Sequence, residues 1–103
     1  MTYEEITGVL NQMGLEYAYN EFQSHPKGDA YIAYFEQART NEFADNRVYN
    51  SEQSFAIELY TKKKRRDLEG KLIGLLNDNE IPWTDAPEQY IASDHIYQKA
   101  FYV

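Results

Sequence analysis

Apolar residues fall at Tyr3, Ile6, Leu10 and Met13, the 3-4-3 spacing that gathers side chains on one face of a helix. Thr2, with Glu5 three residues later, has the form of a capping box, and Gly14 supplies a stop. From Leu15 to Phe22 the period changes to two: Leu15, Tyr17 and Tyr19 share one face and Glu16, Ala18 and Asn20 the other. The stretch Ser24-His25-Pro26-Lys27-Gly28-Asp29 has loop chemistry. Ala30 to Phe35 is dense enough in apolar residues to predict a strand buried on both faces. Gln37 to Asp45 is polar and predicts a loop, followed by a short edge strand from Asn46 to Asn50. Gln53 to Thr61 is the clearest strand, with Phe55, Ile57 and Leu59 pointing one way and Ala56, Glu58 and Tyr60 the other.

A second helix is predicted from about Arg65 to Asn79. Its core stripe is Leu68, Leu72, Leu75 and Leu76, with Asn79 as a left-handed cap and Pro82 closing it off. Pro87 lies in the loop that follows Trp83. Tyr90 to Ala92 and Ile96 to Val103 then read as a terminal hairpin turning at Ser93-Asp94. Strands grouped with a helix at each break argue for one α+β domain over residues 1–103. The expected form is a mostly antiparallel sheet flanked by two helices, in the order α-β-β-β-β-α-β-β.

At 103 residues the chain has room for one core. No apolar run approaches the ~20 residues of a membrane-spanning helix, and the acidic start resembles no targeting peptide. The absence of cysteine rules out disulfides and thiolate metal sites and fits a reducing compartment. Net charge is −7, but it is unevenly placed: Lys62, Lys63, Lys64, Arg65 and Arg66 form one run, and five other bases face seventeen acids. An acidic body with one basic pole argues against coating nucleic acid and against sequence-specific DNA binding.

The sequence carries no recognisable catalytic or ligand-binding pattern. His25 and His95 stand apart with no metal-ligand spacing and read as surface or turn residues. Glu4-Glu5 and Asp78-Glu80 lack the apolar setting that raises a carboxyl pKa. Asn77-Asp78-Asn79-Glu80 lacks the Gly and distant Glu of a calcium loop. Gly70 and Gly74 lie inside a helix with no phosphate-loop Lys behind them. The reading is a chain without enzymatic activity, cofactor or metal.

Contact surfaces are the alternative, and four features point to them. Five cations at a helix N-terminus oppose the helix dipole, a cost that docking of Lys62, Lys63, Lys64, Arg65 and Arg66 on an acidic partner would offset. Gly70 and Gly74, with Ile73 at their shoulder, lie on the helix face away from the leucines, where a close-packed neighbour would offset the ~1 kcal/mol cost of each glycine. Tyr19, Tyr34, Tyr60, Tyr97 and Tyr102 are candidates for a partly exposed aromatic face. The polar segment from Gln37 to Asn50 is the fourth candidate.

The succession Ala56-Ile57-Glu58-Leu59-Tyr60-Thr61-Lys62-Lys63-Lys64, Asp67-Leu68-Glu69 and a Leu-rich helix, Asn79-Glu80-Ile81-Pro82-Trp83, Tyr90-Ile91 and Ile96-Tyr97-Gln98 carries a resemblance. With Tyr31-Ile32-Ala33-Tyr34-Phe35 and Phe43-Ala44-Asp45-Asn46-Arg47-Val48-Tyr49 upstream, it resembles small tail completion or head–tail joining proteins of tailed phages and prophages of Gram-positive bacteria. The resemblance spans about Tyr31 to Tyr102 and rests on the order of several motifs. It implies a tail-terminator-like fold and no catalytic residues. It also implies homo-oligomeric, hexameric rings that meet tail-tube or head-connector proteins, with the chain in the host cytoplasm during assembly and then in the virion. A cytosolic interaction or regulatory module encoded by a prophage is the alternative expectation.

Overall fold

The computed structural model describes residues 2–21, 26, 28–37, 40–44, 47–52 and 54–103, with the backbone alone described for 40–44 and 47–52. Helix α1 runs over Tyr3–Met13. It begins where the Thr2 hydroxyl accepts the Glu5 amide at 3.2 Å and ends at Gly14, whose φ of 74° is left-handed. Eight strands and one further helix follow: β1 Glu16–Tyr19, β2 Ala30–Glu36, β3 Thr40–Ala44, β4 Arg47–Glu52, β5 Phe55–Thr61, α2 Arg66–Asp78, β6 Thr84–Asp85, β7 Gln89–Ile91 and β8 Ile96–Tyr102.

Six strands form one sheet in the order β1-β2-β5-β8-β6, with β7 beside β8. The pairings β2–β5, β5–β8, β6–β8 and β7–β8 are antiparallel, and β1–β2 is parallel. In register, Tyr34 lies opposite Ile57 and Ile57 opposite Phe101, so these share one face with Ile32, Phe55 and Leu59. That face packs on Ile6, Val9, Leu10 and Met13 of α1 and on Leu68, Leu72 and Leu76 of α2. The two amphipathic helices thus bury one side of the sheet, as their 3.6-residue periodicity requires.

The domain is α+β, with two helices and a mixed six-stranded sheet. The strand alternation of β5, the double-sided burial of Ile32, Ala33 and Tyr34, and the terminal hairpin over β7 and β8 agree with the sequence reading. The expected element order does not, because two further strands are present. Thr40–Ala44 is strand β3 where a loop was expected; it pairs with β4 as a separate two-stranded ribbon. A ribbon needs backbone pairing and no buried face, so its polar sequence carries no alternation to read. Thr84–Asp85 adds β6, whose two exposed residues leave no signal either. The parallel β1–β2 pair was also not anticipated. Residues 20–29 separate the two strands, about the length at which a crossover becomes possible.

Three local expectations are also corrected. Asn79 has φ −92°, and it is Glu80, at φ 57°, that takes the left-handed turn after α2. Tyr34 lies in the core at 2% exposure, and Tyr3, expected on the core stripe of α1, is 50% exposed. Leu75 is half-buried at the rim of the core. The expected loop at Ser24-His25, the end of the first strand at Phe22, and Lys27 lie outside the described residues.

The ribbon continues the β2–β5 hairpin: the Gln37 amide donates to the Ser54 carbonyl at 2.8 Å, directly beyond the Glu36–Phe55 pair. It carries a bulge, with Glu42 opposite Asn50 and Phe43 opposite Val48, so that Tyr49 has no partner across the ribbon. Neither of its strands pairs with the six-stranded sheet. The molecule measures 50 × 29 × 25 Å. The chain therefore consists of a packed body and an arm.

Candidate protein-interaction surfaces

The basic run is the turn from β5 into α2. Three of its five charges are matched within the chain. Lys62 lies 3.5 Å from Asp29, and Lys64 bridges Glu69 at 2.8 Å and Glu88 at 3.0 Å. Arg65 grips Asp67 with two parallel bonds of 2.9 and 2.8 Å. Hydrogen bonding by Arg65 holds the Asp67 carboxyl down at about 2, and the carboxylates of Glu69 and Glu88 push Lys64 up. Asp67 and Glu69 occupy the first turn of α2, where negative charge complements the helix dipole. Their position offsets the unfavourable siting of the cations. Lys63 and Arg66 are exposed and have no ion-pair partner among the described residues.

The glycine face of α2 is open. A Cβ built on Gly70 or Gly74 meets nothing within 4 Å. Ile73 is half-buried against the core, so it does not continue that outward face.

Tyrosines concentrate at the β1 edge of the sheet. The buried Tyr34 ring is surrounded by Tyr3, Tyr17 and Tyr19 at centroid distances of 6.1, 6.0 and 5.2 Å. Tyr34 and Tyr3 share a hydroxyl bond of 3.0 Å, the Tyr19 hydroxyl accepts the Glu36 amide at 3.2 Å, and Tyr17 bonds Asn11. Burial first, and the Tyr3 bond second, raise the Tyr34 pKa well above the usual phenol value. Tyr3 and Tyr19 remain 50% and 48% exposed. β1 is the terminal strand of the sheet, and no described strand pairs with its outer edge.

On the sheet face away from the helices, Tyr31 stacks on Tyr60 at 5.1 Å. Gln98 donates to Glu58 at 2.7 Å and to the Tyr60 hydroxyl at 3.0 Å, and that hydroxyl donates to Glu58 at 3.1 Å. Burial, then the Glu58 charge, push Tyr60 up to about 12. These bonds tie β5 to β8 across the outer face of the sheet.

A hollow of about 470 Å³ adjoins this network, between Gly28, Tyr31, Lys62, Ile96 and the Ser93-Asp94 turn. Tyr31, Lys62 and Asp94 are the ionisable side chains among the described residues that line it, and burial first and the Asp94 charge second raise the Tyr31 pKa. His95 is exposed in the same turn with φ 52° and lies 3.4 Å from the Tyr90 hydroxyl, a turn role as expected. Among the described residues, no three His, Cys, Asp or Glu side chains gather to hold a metal, and no helix is long and apolar enough to cross a membrane.

Sequence reasoning identified Tyr19 and Tyr102 as exposed, but missed Tyr3 and Tyr90 at 50% and 53%. Tyr3 fits the helical stripe, yet it belongs to the first turn and so overhangs the rim of the sheet. The available signal was its place beside the capping Thr2. Tyr60 and Tyr97 are half-buried. No protein-family model matches the chain, and no curated protein matches it.

Proposed function

We propose that the chain is a non-enzymatic structural protein of a tailed-phage or prophage particle that completes the tail or joins it to the head. It works by protein–protein assembly, as a homo-oligomeric ring meeting tail-tube or head-connector proteins. The reading draws on the order of motifs from Tyr31 to Tyr102. The observation that supports it most is the arm: β3 and β4 leave the packed body and pair only with each other. A two-stranded ribbon on its own is marginal in water, so an arm of this kind gains from lying against another surface. Exposed tyrosines on the body supply the rigid, amphipathic contact area that protein interfaces favour.

Deleting the gene from an inducible prophage tests the reading. The expected result is filled heads and tails that remain separate in electron micrographs, with infectivity restored by the gene in trans. Joined, infectious particles without the protein would overturn it. The second reading, a prophage-encoded interaction or regulatory module acting in the cytosol, draws on the exposed tyrosines alone. It predicts normal particles in that experiment and one host protein recovered with the purified chain.

A further inference from the structure

We infer that the hollow on the outer face of the sheet is a binding site for a free α-amino acid, with Lys62 taking its carboxylate and Asp94 its ammonium. The site is separate from the assembly reading and does not depend on it. Its volume of about 470 Å³ lies within the range that small ligands occupy. Three segments meet there: the entry to β2 at Gly28 and Tyr31, the exit from β5 at Lys62, and the β7–β8 connection at Ser93, Asp94 and Ile96. The Lys62 amide donates to the Asp29 carbonyl at 2.9 Å, which fixes the first segment to the second. In the β7–β8 turn, the Asp94 amide donates to the Ile91 carbonyl at 3.2 Å and the His95 amide to the Ala92 carbonyl at 3.3 Å. Backbone bonds thus set the walls, which lowers the ordering cost of binding.

The floor is apolar and the rim carries one charge of each sign. Ile96 shares the parity of Gln98 in β8 and so points to the face away from the helices, yet it is only 4% exposed. Tyr31, stacked on Tyr60, is the aromatic wall. The Asp94 charge is the second cause, after burial, of the raised Tyr31 pKa, so that carboxylate lies within electrostatic range of the ring hydroxyl. Elsewhere in the chain, Lys64, Arg65 and Lys99 meet their carboxylates at 2.8 to 3.0 Å. Lys62 and Asp94 line one hollow but form no ion pair with each other among the described residues. The Lys62 contact with Asp29 is 3.5 Å long and joins two exposed side chains. A contact of that kind is weak and leaves Lys62 able to donate to a ligand carboxylate. Opposite charges set apart over an apolar floor match an α-amino acid whose apolar side chain lies against Tyr31 and Ile96. A ligand with a single charge leaves the other pole unmatched.

Two-dimensional amide NMR of the full chain tests this, with L-phenylalanine and L-leucine as probes. Shifts are expected at Tyr31, Lys62, Ser93 and Asp94, saturating with a Kd of about 1 mM or tighter. L-Phenylalaninamide lacks the carboxylate and 3-phenylpropionate lacks the ammonium. Each should bind about tenfold more weakly than L-phenylalanine, as loss of a hydrogen bond to a charged group requires. Lys62→Gln and Asp94→Asn, both at exposed positions, should lose about as much affinity for L-phenylalanine, and their spectra show that they fold. The variants also assign the poles. Lys62→Gln should bind L-phenylalaninamide no more weakly than wild type does, and Asp94→Asn should do the same for 3-phenylpropionate. If neither amino acid shifts these amides at roughly 20 mM, well above the expected Kd, the inference is overturned. So it is by shifts confined to other surfaces, by single-charge analogues that bind as tightly as L-phenylalanine, or by variants that bind like wild type.

Discussion

The two antiparallel pairs between Ala30 and Thr61, β2 with β5 and β3 with β4, behave differently although they follow one another along the chain. In the half made of β2 and β5, Ile32, Ala33 and Tyr34 are buried in succession, as are Phe55, Ala56 and Ile57. Helices close one face and β1 and β8 pair with the outer edges. The half made of β3 and β4 is antiparallel as well, but among the described residues the ribbon pairs only with itself. The change falls where apolar alternation stops, at Glu36-Gln37 on one strand and before Phe55 on the other. Backbone pairing is thus common to both halves, and burial of alternate side chains is what fixes one of them in the fold. Stability should therefore reside almost entirely in the first half.

The largest effect is expected from Ile57→Ala. Ile57 has no exposure and lies in register between Tyr34 and Phe101, so truncation leaves a cavity that neither neighbour can fill without leaving the sheet. Such a change costs ~2–5 kcal/mol, readable from denaturant unfolding. A loss below ~1 kcal/mol would mean the centre of the sheet is not the stability core.

Alkali should also act on the packed half. Tyr60 is held up to about 12, and Tyr31 and Tyr34 are raised from 10.0, chiefly by burial. The unfolded chain releases these protons near pH 10, while the folded chain retains them. The unfolded state then binds fewer protons, so stability falls as pH rises from about 10 through 12. Denaturation midpoints at pH 9 and 11 measure the loss, and equal midpoints would show that these hydroxyls are not withheld from solvent.

The legible parts of this molecule were those where burial imposes a period. Ile6, Leu10 and Met13, then Leu68, Leu72 and Leu76, stand at helical spacing and all are buried. Phe55, Ile57 and Leu59 alternate and do the same. The sequence was silent on β3, where Thr40-Asn41-Glu42-Phe43-Ala44 pairs through its backbone, and on the parallel pairing of β1, which depends on the path between strands. Candidate surfaces were half legible. The run from Lys62 to Arg66 is plain, but its neutralisation needs Asp29 and Glu88, brought from distant positions by the fold. Burial of Tyr34 among other tyrosines was hidden for the same reason, since composition does not rank ten residues of one type.

Glycines sharpen the comparison within the body. Gly14 adopts φ 74°, which an L-residue enters at a cost of ~1 kcal/mol or more, so Gly14→Ala should destabilise. Gly70 lies in mid-helix with open space where a Cβ would go, so Gly70→Ala should stabilise by up to ~1 kcal/mol. If the glycine face of α2 serves assembly, the same methyl should hinder ring formation while raising thermal stability.

Removal of the arm should have the smallest effect on stability and a decisive one on assembly. Gln37 and Ser54 already face each other across the hairpin, joined by a 2.8 Å bond at the end of the packed half. Replacing residues 38–53 by Asn-Gly closes the chain with a two-residue turn whose twist suits antiparallel strands. Ordering entropy of the excised ribbon is removed from the balance together with its own pairing, so the two contributions largely cancel. The midpoint of unfolding should shift by no more than ~0.5 kcal/mol, as for surface changes generally. Loss of more than ~2 kcal/mol would show that the arm leans on the body and that the division drawn here is wrong. Under the virion reading, the shortened chain folds normally but fails to rescue the deletion. A rescue at full titre would confine assembly to the body and leave the arm without a role in it.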